Sequence, residues 1–274
     1  MSTFSQLFKD AANALSPIFG ESATFEARLL LCHFFGIDES KLLLNMNEEA
    51  GEENAMLFCD AVNRRLHHTP IQYILGRWEF MGLPFFVNEN VLIPRSDTET
   101  LVIKALDFAK GLDTFSLLDL CCGSGIIGLA IKKLAKANVD LTLADISDDA
   151  LSLSRKNADS LSLDAQIIKT DMFSNIQKTY DFIVCNPPYI QTDVIKTLDE
   201  EVKKEPHLAL DGGRDGLDFY RIISGEYKRF LNAGGKMLLE IGYDQGVSVS
   251  SLFEKSFVIK DLSGNDRVVV VENS

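Results

Sequence analysis

Apolar residues in the first 66 positions recur three and four apart, separated by short polar stretches. In TFEARLLLCHFFG, for example, Leu29, Leu30, His33 and Phe34 fall on one side of a helical turn. The pattern predicts helices over 3–15, 23–35, 39–46 and 49–66, with Gly36 as a stop signal. Residues 1–66 therefore read as a small N-terminal helical bundle. Nothing in it carries catalytic chemistry, so a packing or recognition role is expected. The texture changes from residue 67. GRWEFMGLPFFVNENVLIP is aromatic and interrupted by glycine and proline, which predicts a hairpin and then an extended strand. Residues 67–95 form a connector on this reading.

Residues 96–274 alternate between strand and helix periods. Strands are expected at 116–120, 140–145, 165–170, 180–185 and 235–241. Helices are expected at 125–136, 148–160, 216–232 and 244–254. Such alternation argues for an α/β fold with a mostly parallel sheet covered by helices. The last segment, FVIKDLSGNDRVVVVEN, is two apolar runs around Gly264-Asn265, so the sheet should close with an antiparallel hairpin strand.

Composition adds limits. Hydrophobic residues make up 46% of the 274 positions and charged ones 24%, ordinary for a globular chain. No apolar run approaches a membrane span, and the N-terminus reads as an amphipathic helix rather than a signal peptide, so a cytoplasmic protein is expected. The five cysteines lack metal-type spacing and are expected as free thiols, with no metal site. A net charge of −13 favours a protein or small-molecule substrate over direct nucleic-acid binding.

Candidate chemistry lies at strand ends. LLDLCCGSGIIGLAI runs strand, glycine turn, helix, which brings backbone N–H groups to a ligand without completing the GxGxxG signature. Asp145 ends the following strand, where a carboxylate can accept both hydroxyls of a ribose, although it could also cap the next helix in competition with Ser147. The next strand ends in Thr170-Asp171-Met172-Phe173, a candidate flank for an adenine ring. The fourth ends in Asn186-Pro187-Pro188-Tyr189. Here the Asn186 side-chain oxygen and the Pro187 carbonyl can both accept hydrogen bonds from one –NH₂ group, with proline fixing the backbone. Tyr189 offers a ring to a flat substrate. Two acceptors pulling on a poorly nucleophilic nitrogen favour the charge-bearing transition state of attack on an electrophilic methyl.

With PIQYILGRWEF, VLIPRSDTE, DLCCGSG, NPPYI, EPHLALDGGRDGLDFYR, NAGGKMLLEIG and GNDRVVVV, the chain resembles the HemK/PrmC family, the S-adenosylmethionine-dependent methyltransferases of peptide chain release factors. The resemblance implies a Rossmann-like methyltransferase sheet over 96–274 and a release-factor recognition role for 1–66. It implies methyl transfer from S-adenosylmethionine, leaving S-adenosylhomocysteine, to the side-chain amide nitrogen of the glutamine in the Gly-Gly-Gln motif of class 1 release factors. Carried over by position, the cofactor site would comprise Cys121, Cys122, Gly123, Ser124, Gly125, Asp145, Met172 and Asn186. The substrate amide would lie on Asn186, Pro187, Pro188 and Tyr189, with Asn186, Pro187 and Tyr189 catalytic. Cys121 and Cys122 depart from the commoner Gly and Thr, Met172 from a tryptophan found in some members, and Ser96 from the usual proline. The Arg95 loop would lie beside the methionine end of the cofactor, or Arg95 would be a structural ion-pair partner. A monomer is expected.

NPPY also occurs in enzymes that methylate exocyclic amino groups in DNA or RNA, the alternative reading. The acidic balance and the matches outside NPPY weigh against it. An NAD-dependent dehydrogenase is disfavoured by the incomplete glycine signature, and a catalytically dead interaction protein by the intact NPPY and Asp145.

Overall fold

The computed structural model describes residues 2–273. Its contacts divide the chain into two compact units, one running to Gly76 and including Glu200–Lys204, the other comprising the remainder. No helix among the described residues is long and apolar enough to cross a membrane.

The first unit holds α1 (Phe4–Phe19), α2 (Ser22–Phe35), α3 (Glu39–Leu44), α4 (Glu52–Leu66) and α5 (Ile71–Leu75). Thr3 caps α1 and Asp38 caps α3 through side-chain oxygens that accept from Gln6 and Lys41 backbone N–H groups. Gly36 ends α2 in the left-handed conformation, as expected. At the centre of the unit is Arg65, only 2% exposed. Its guanidinium pairs with Glu26 at 2.5 Å and with Glu201 at 2.8 Å, and lies 3.6 Å from the Phe19 ring centroid. A segment distant in sequence, 200–204, thus supplies a carboxylate to a buried cation of the helical unit.

The second unit opens with a hairpin, β1 (Arg77–Phe80) and β2 (Leu83–Phe86), followed by α6 (Glu99–Phe108). Then come β3 (Thr114–Leu120), α7 (Ile126–Leu134), β4 (Asn138–Asp145), α8 (Asp148–Leu161), β5 (Gln166–Lys169) and β6 (Tyr180–Cys185). The chain finishes with α9 (Thr192–Ile195), α10 (Asp218–Glu226), β7 (Leu231–Glu240), α11 (Gly246–Ser250), β8 (Ser256–Lys260) and β9 (Asp266–Glu272). The seven-stranded sheet has the order β5-β4-β3-β6-β7-β9-β8. The first five strands in that order are parallel, whereas β9 runs antiparallel to both β7 and β8. The expected hairpin closes the sheet with its second strand inserted against β7 and its first left at the edge.

Side chains alternate between two cores, as the two-residue period requires. Leu117, Val184, Leu238, Val268 and Val270 join one with α6 and α7. Leu118, Ile183, Cys185, Met237, Leu239 and Val269 join the other with Tyr220, Ile223 and Phe230. Burial on both faces explains why VVVV carries no polar residue.

Several elements depart from expectation, among them the short helices α5 and α9. Residues 87–95 form no strand, although Val87, Val91 and Ile93 are buried. Side chains take up backbone N–H groups along this stretch, Asn88 that of Asn90 and Glu205 that of Ile93. Helix α6 occupies a stretch with no expected element. The helix expected over 216–232 stops at Glu226 because β7 begins at Leu231, paired with Tyr180 ahead of an irregularity in the ladder. The helix expected over 244–254 is reduced to Gly246–Ser250.

Candidate active site

β4 and β6 flank β3 on opposite sides, so the strand order reverses at β3, and open α/β sheets bind ligands at the carboxyl ends there. A cavity of about 270 Å³ opens at those ends. Each of the four strands β3 to β6 delivers residues to it: Cys121–Ser124 after β3, Asp145 at the end of β4, Thr170–Met172 after β5, and Asn186 with Pro188 after β6. Val91–Arg95, Thr98, Leu208, Ala209 and Phe219 complete much of its apolar wall. Of the expected site residues, Gly125, Pro187 and Tyr189 are outside this lining.

The loop after β3 is held from several directions. Cys121 and Gly123 both have positive φ, +57° and +54°. The Gly123 N–H donates to Asp145 Oδ2 at 2.8 Å, and the Ser147 N–H donates to Oδ1 at 2.9 Å. Each carboxylate oxygen of Asp145 keeps a further lone pair for a ligand hydroxyl. Ser147, not Asp145, caps α8 through Oγ, which accepts from Ala150. Asn157 on α8 donates to the Ser124 and Phe86 carbonyls, tying the loop to the hairpin.

Met172 also has a positive φ, and its Sδ lies 3.9 Å from Cys121 Sγ. Thr170 Oγ1 donates to the Met172 carbonyl and accepts from the Asn175 N–H, which holds the turn. Phe173 points away into the core, stacked on Phe230.

The segment after β6 is clamped at the backbone. The Gln245 side chain donates to the Tyr189 carbonyl at 3.1 Å and to that of Gly216. Ile190 exchanges hydrogen bonds with Leu210 and Gly212. A Cβ at Gly212 would come 2.7 Å from Tyr189 Cα, and one at Gly216 would come 2.4 Å from the Tyr189 carbonyl. Only glycine lets DGGRDG approach this closely. Pro187 and Pro188 are buried, Asn186 and Tyr189 half-buried.

Sequence reading missed the carboxylates behind the site. Glu240, at the end of β7, is 1% exposed, and the register of β6 with β7 sets it beside Asn186. Burial pushes its pKa up to about 7, against the pull of Thr98 and Arg267. Asp119 is fully buried below the loop, accepts from the Gly128 N–H at 2.8 Å, and is likewise raised to about 7 by burial. Both interrupt apolar strand runs (LLDL and MLLEI), and a charge inside a buried run is the signal that could have found them. Arg95 pairs with Glu205, whose other oxygen accepts from Ile93 N–H, so the structural ion-pair alternative holds for Arg95.

The geometry fits S-adenosylmethionine by class: an acidic strand end with spare lone pairs, a tight glycine loop and an apolar wall on one cavity. Residues 97–213 match the family described as Methyltransferase small domain, and residues 6–76 that described as PrmC N-terminal domain. A Clostridium botulinum release factor glutamine methyltransferase is 39% identical over 259 residues, covering 90% of this chain and 91% of its own. One from Streptococcus pneumoniae is 40% identical over 237 residues, 83% and 84% of the two chains. Among solved structures, a Pyrococcus furiosus methyltransferase superposes with TM-score 0.52 at 18% identity, over 71% of this chain and 91% of its own. A T. thermophilus 16S rRNA methyltransferase, solved with AdoMet and guanosine, gives TM-score 0.51 at 16% identity over 72% and 50%.

Proposed function

The chain belongs to the release factor glutamine methyltransferases, and from that premise we propose how its residues divide the work. The reaction is methyl transfer from S-adenosylmethionine to the side-chain amide nitrogen of the Gly-Gly-Gln glutamine of a class 1 release factor. When bound, S-adenosylmethionine supplies an electrophilic methyl on a sulfonium. Asp145 would take the ribose hydroxyls on its remaining lone pairs, with the Cys121–Gly125 loop and Met172 around the rest of the cofactor. Asn186 Oδ1 and the Pro187 carbonyl would accept the two amide hydrogens of the glutamine, and Tyr189 would pack against it. Both acceptors strengthen their hold as the nitrogen becomes positive, so their effect falls on the transition state. The alkylated nitrogen then loses its proton to water, so no strong base is needed. A release-factor substrate places the enzyme in the cytoplasm, with the helical unit as its recognition module.

The observation that carries this reading is that Asn186 and Asp145 open on one cavity, from strands on either side of β3. The test offers methyl-labelled S-adenosylmethionine with release factor, DNA or RNA in turn. Label on the release factor glutamine is expected. Label on nucleic acid alone would overturn the reading.

A further inference from the structure

An asparagine can work as an acceptor only if its amide is held the right way round, because its oxygen and nitrogen ends are nearly the same shape. Asn186 follows directly on β6, next to β7, which ends in Glu240. Cys185 is in register with Leu239, which sets Asn186 and Glu240 abreast at the ends of two adjacent strands, and the Asn186 and Thr98 side chains both pull the Glu240 carboxyl down. A carboxylate only accepts, so beside an amide it favours the nitrogen end and leaves the oxygen end for a ligand.

The support for Glu240 is itself fixed. The Tyr220 hydroxyl donates to the Glu240 backbone carbonyl at 2.7 Å, and the Arg267 guanidinium donates to the carbonyl of neighbouring Ile241. The carboxyl oxygen Oε2 is buried with no hydrogen-bond partner. A group kept this dry has no packing rationale, since an apolar side chain would fill the place at lower cost.

We propose that Glu240 is a positioning residue for the reaction, its carboxylate orienting the Asn186 amide so that Oδ1 faces the substrate nitrogen. The role rests on the function proposed above for Asn186. Protonation would reverse the arrangement, because a carboxylic acid can donate to Oδ1 and occupy the acceptor. The charged and titratable groups facing Glu240 are Arg267 from β9, Asp97 from the turn before α6, Tyr189 after β6 and Tyr220 from α10. Burial dominates over all of them and holds the carboxyl at about 7, within the working range of pH. The folded-state value is raised, so the orienting carboxylate is present above that pH and is lost as pH falls through it.

The test uses the full chain in two arms. In the first, without substrate, the Asn186 side-chain NH₂ resonances are followed by ¹⁵N NMR from pH 5.5 to 8.5, identified by their loss in Asn186→Ala. They should titrate with a midpoint near 7. In Glu240→Gln that titration should vanish. In the second arm, wild-type kcat for release factor methylation should fall below the same midpoint. Glu240→Gln, a mimic of the protonated acid, should give a pH-independent kcat about ten- to a hundredfold below the wild-type plateau. Its cofactor affinity by calorimetry should stay within a few-fold of wild type. If Glu240→Gln does not fold, Thr98→Val serves instead: with the hydroxyl that pulls the carboxyl down gone, the NMR midpoint should move to higher pH. Asn186 resonances indifferent to pH in the wild type, or an acid limb kept in Glu240→Gln, would overturn the proposal. Failure of the wild type to methylate a release factor would count against the proposed function instead, and the NMR arm would still decide the role of Glu240.

Discussion

On the proposed function, Asp145 has two tasks with one carboxylate. It holds the loop after β3 through the Gly123 N–H, and the oxygens that do so face the cavity. Asp145→Ala should therefore loosen the loop as well as remove the ribose acceptor. A charge-assisted hydrogen bond contributes about 1.5–3 kcal/mol, so calorimetry should find cofactor affinity reduced at least tenfold in a folded variant. Unchanged affinity would remove Asp145 from the site. Asn186 makes the opposite expectation. Asn186→Ala should lower kcat by roughly two to three orders of magnitude, by analogy with loss of one oxyanion-hole donor. Cofactor affinity should fall less. Asn186→Asp keeps an acceptor but adds charge where the sulfonium loses it, so binding should be retained and rate reduced. Single-turnover methylation separates the two effects.

Among the elements, the 210–217 segment shapes the site without contributing an expected functional side chain. Gly216 has φ +74°, and its backbone lies against the Tyr189 carbonyl. Gly216→Ala should displace the NPPY backbone and destabilise the protein by about 1–3 kcal/mol, the usual range for overpacking. Release factor methylation should fall further than cofactor binding; a melting curve and calorimetry together would check both. The local signals of this region were legible in sequence, because a glycine turn and an Asn-Pro-Pro-Tyr run declare their backbone wherever they occur. So were strands β3, β4 and β6, whose two-sided burial leaves short, mostly apolar runs. What could not be read locally was pairing across the chain: Ile93 with Glu205, Phe86 with Asn157, Glu240 with Asn186. The strand expected after the hairpin failed for that reason. Its alternation is real, yet its N–H groups are met outside any strand ladder, by Asn88 close by and by Glu205 far away in sequence.

For the molecule as a whole, two buried acids set a dependence on pH. The pKa values of Asp119 and Glu240 are raised to about 7, so the folded state holds protons that the unfolded chain releases near pH 4. Their contribution is fully present below about pH 4 and is lost as pH rises towards 7. Asp119→Asn should remove its share of that slope. Denaturant titrations at pH 5 and 8 should show the variant gaining on wild type at the higher pH; a constant difference would mean that Asp119 does not titrate. The helical unit answers to different forces. Glu26→Gln leaves the buried Arg65 with a weaker partner and should destabilise that unit by up to about 3–5 kcal/mol. Cofactor binding in the other unit should survive, which calorimetry can verify. The position of β9 has a further consequence, for biosynthesis. Residues 266–272 leave the ribosome after both β7 and β8, yet they form the strand between them. Until they emerge, the nascent chain presents β7 with an unpaired edge, the kind of surface on which aggregation starts and chaperones act. Arg267, which faces Glu240, arrives with that strand, so the candidate site reaches its final electrostatic state only once β9 has emerged.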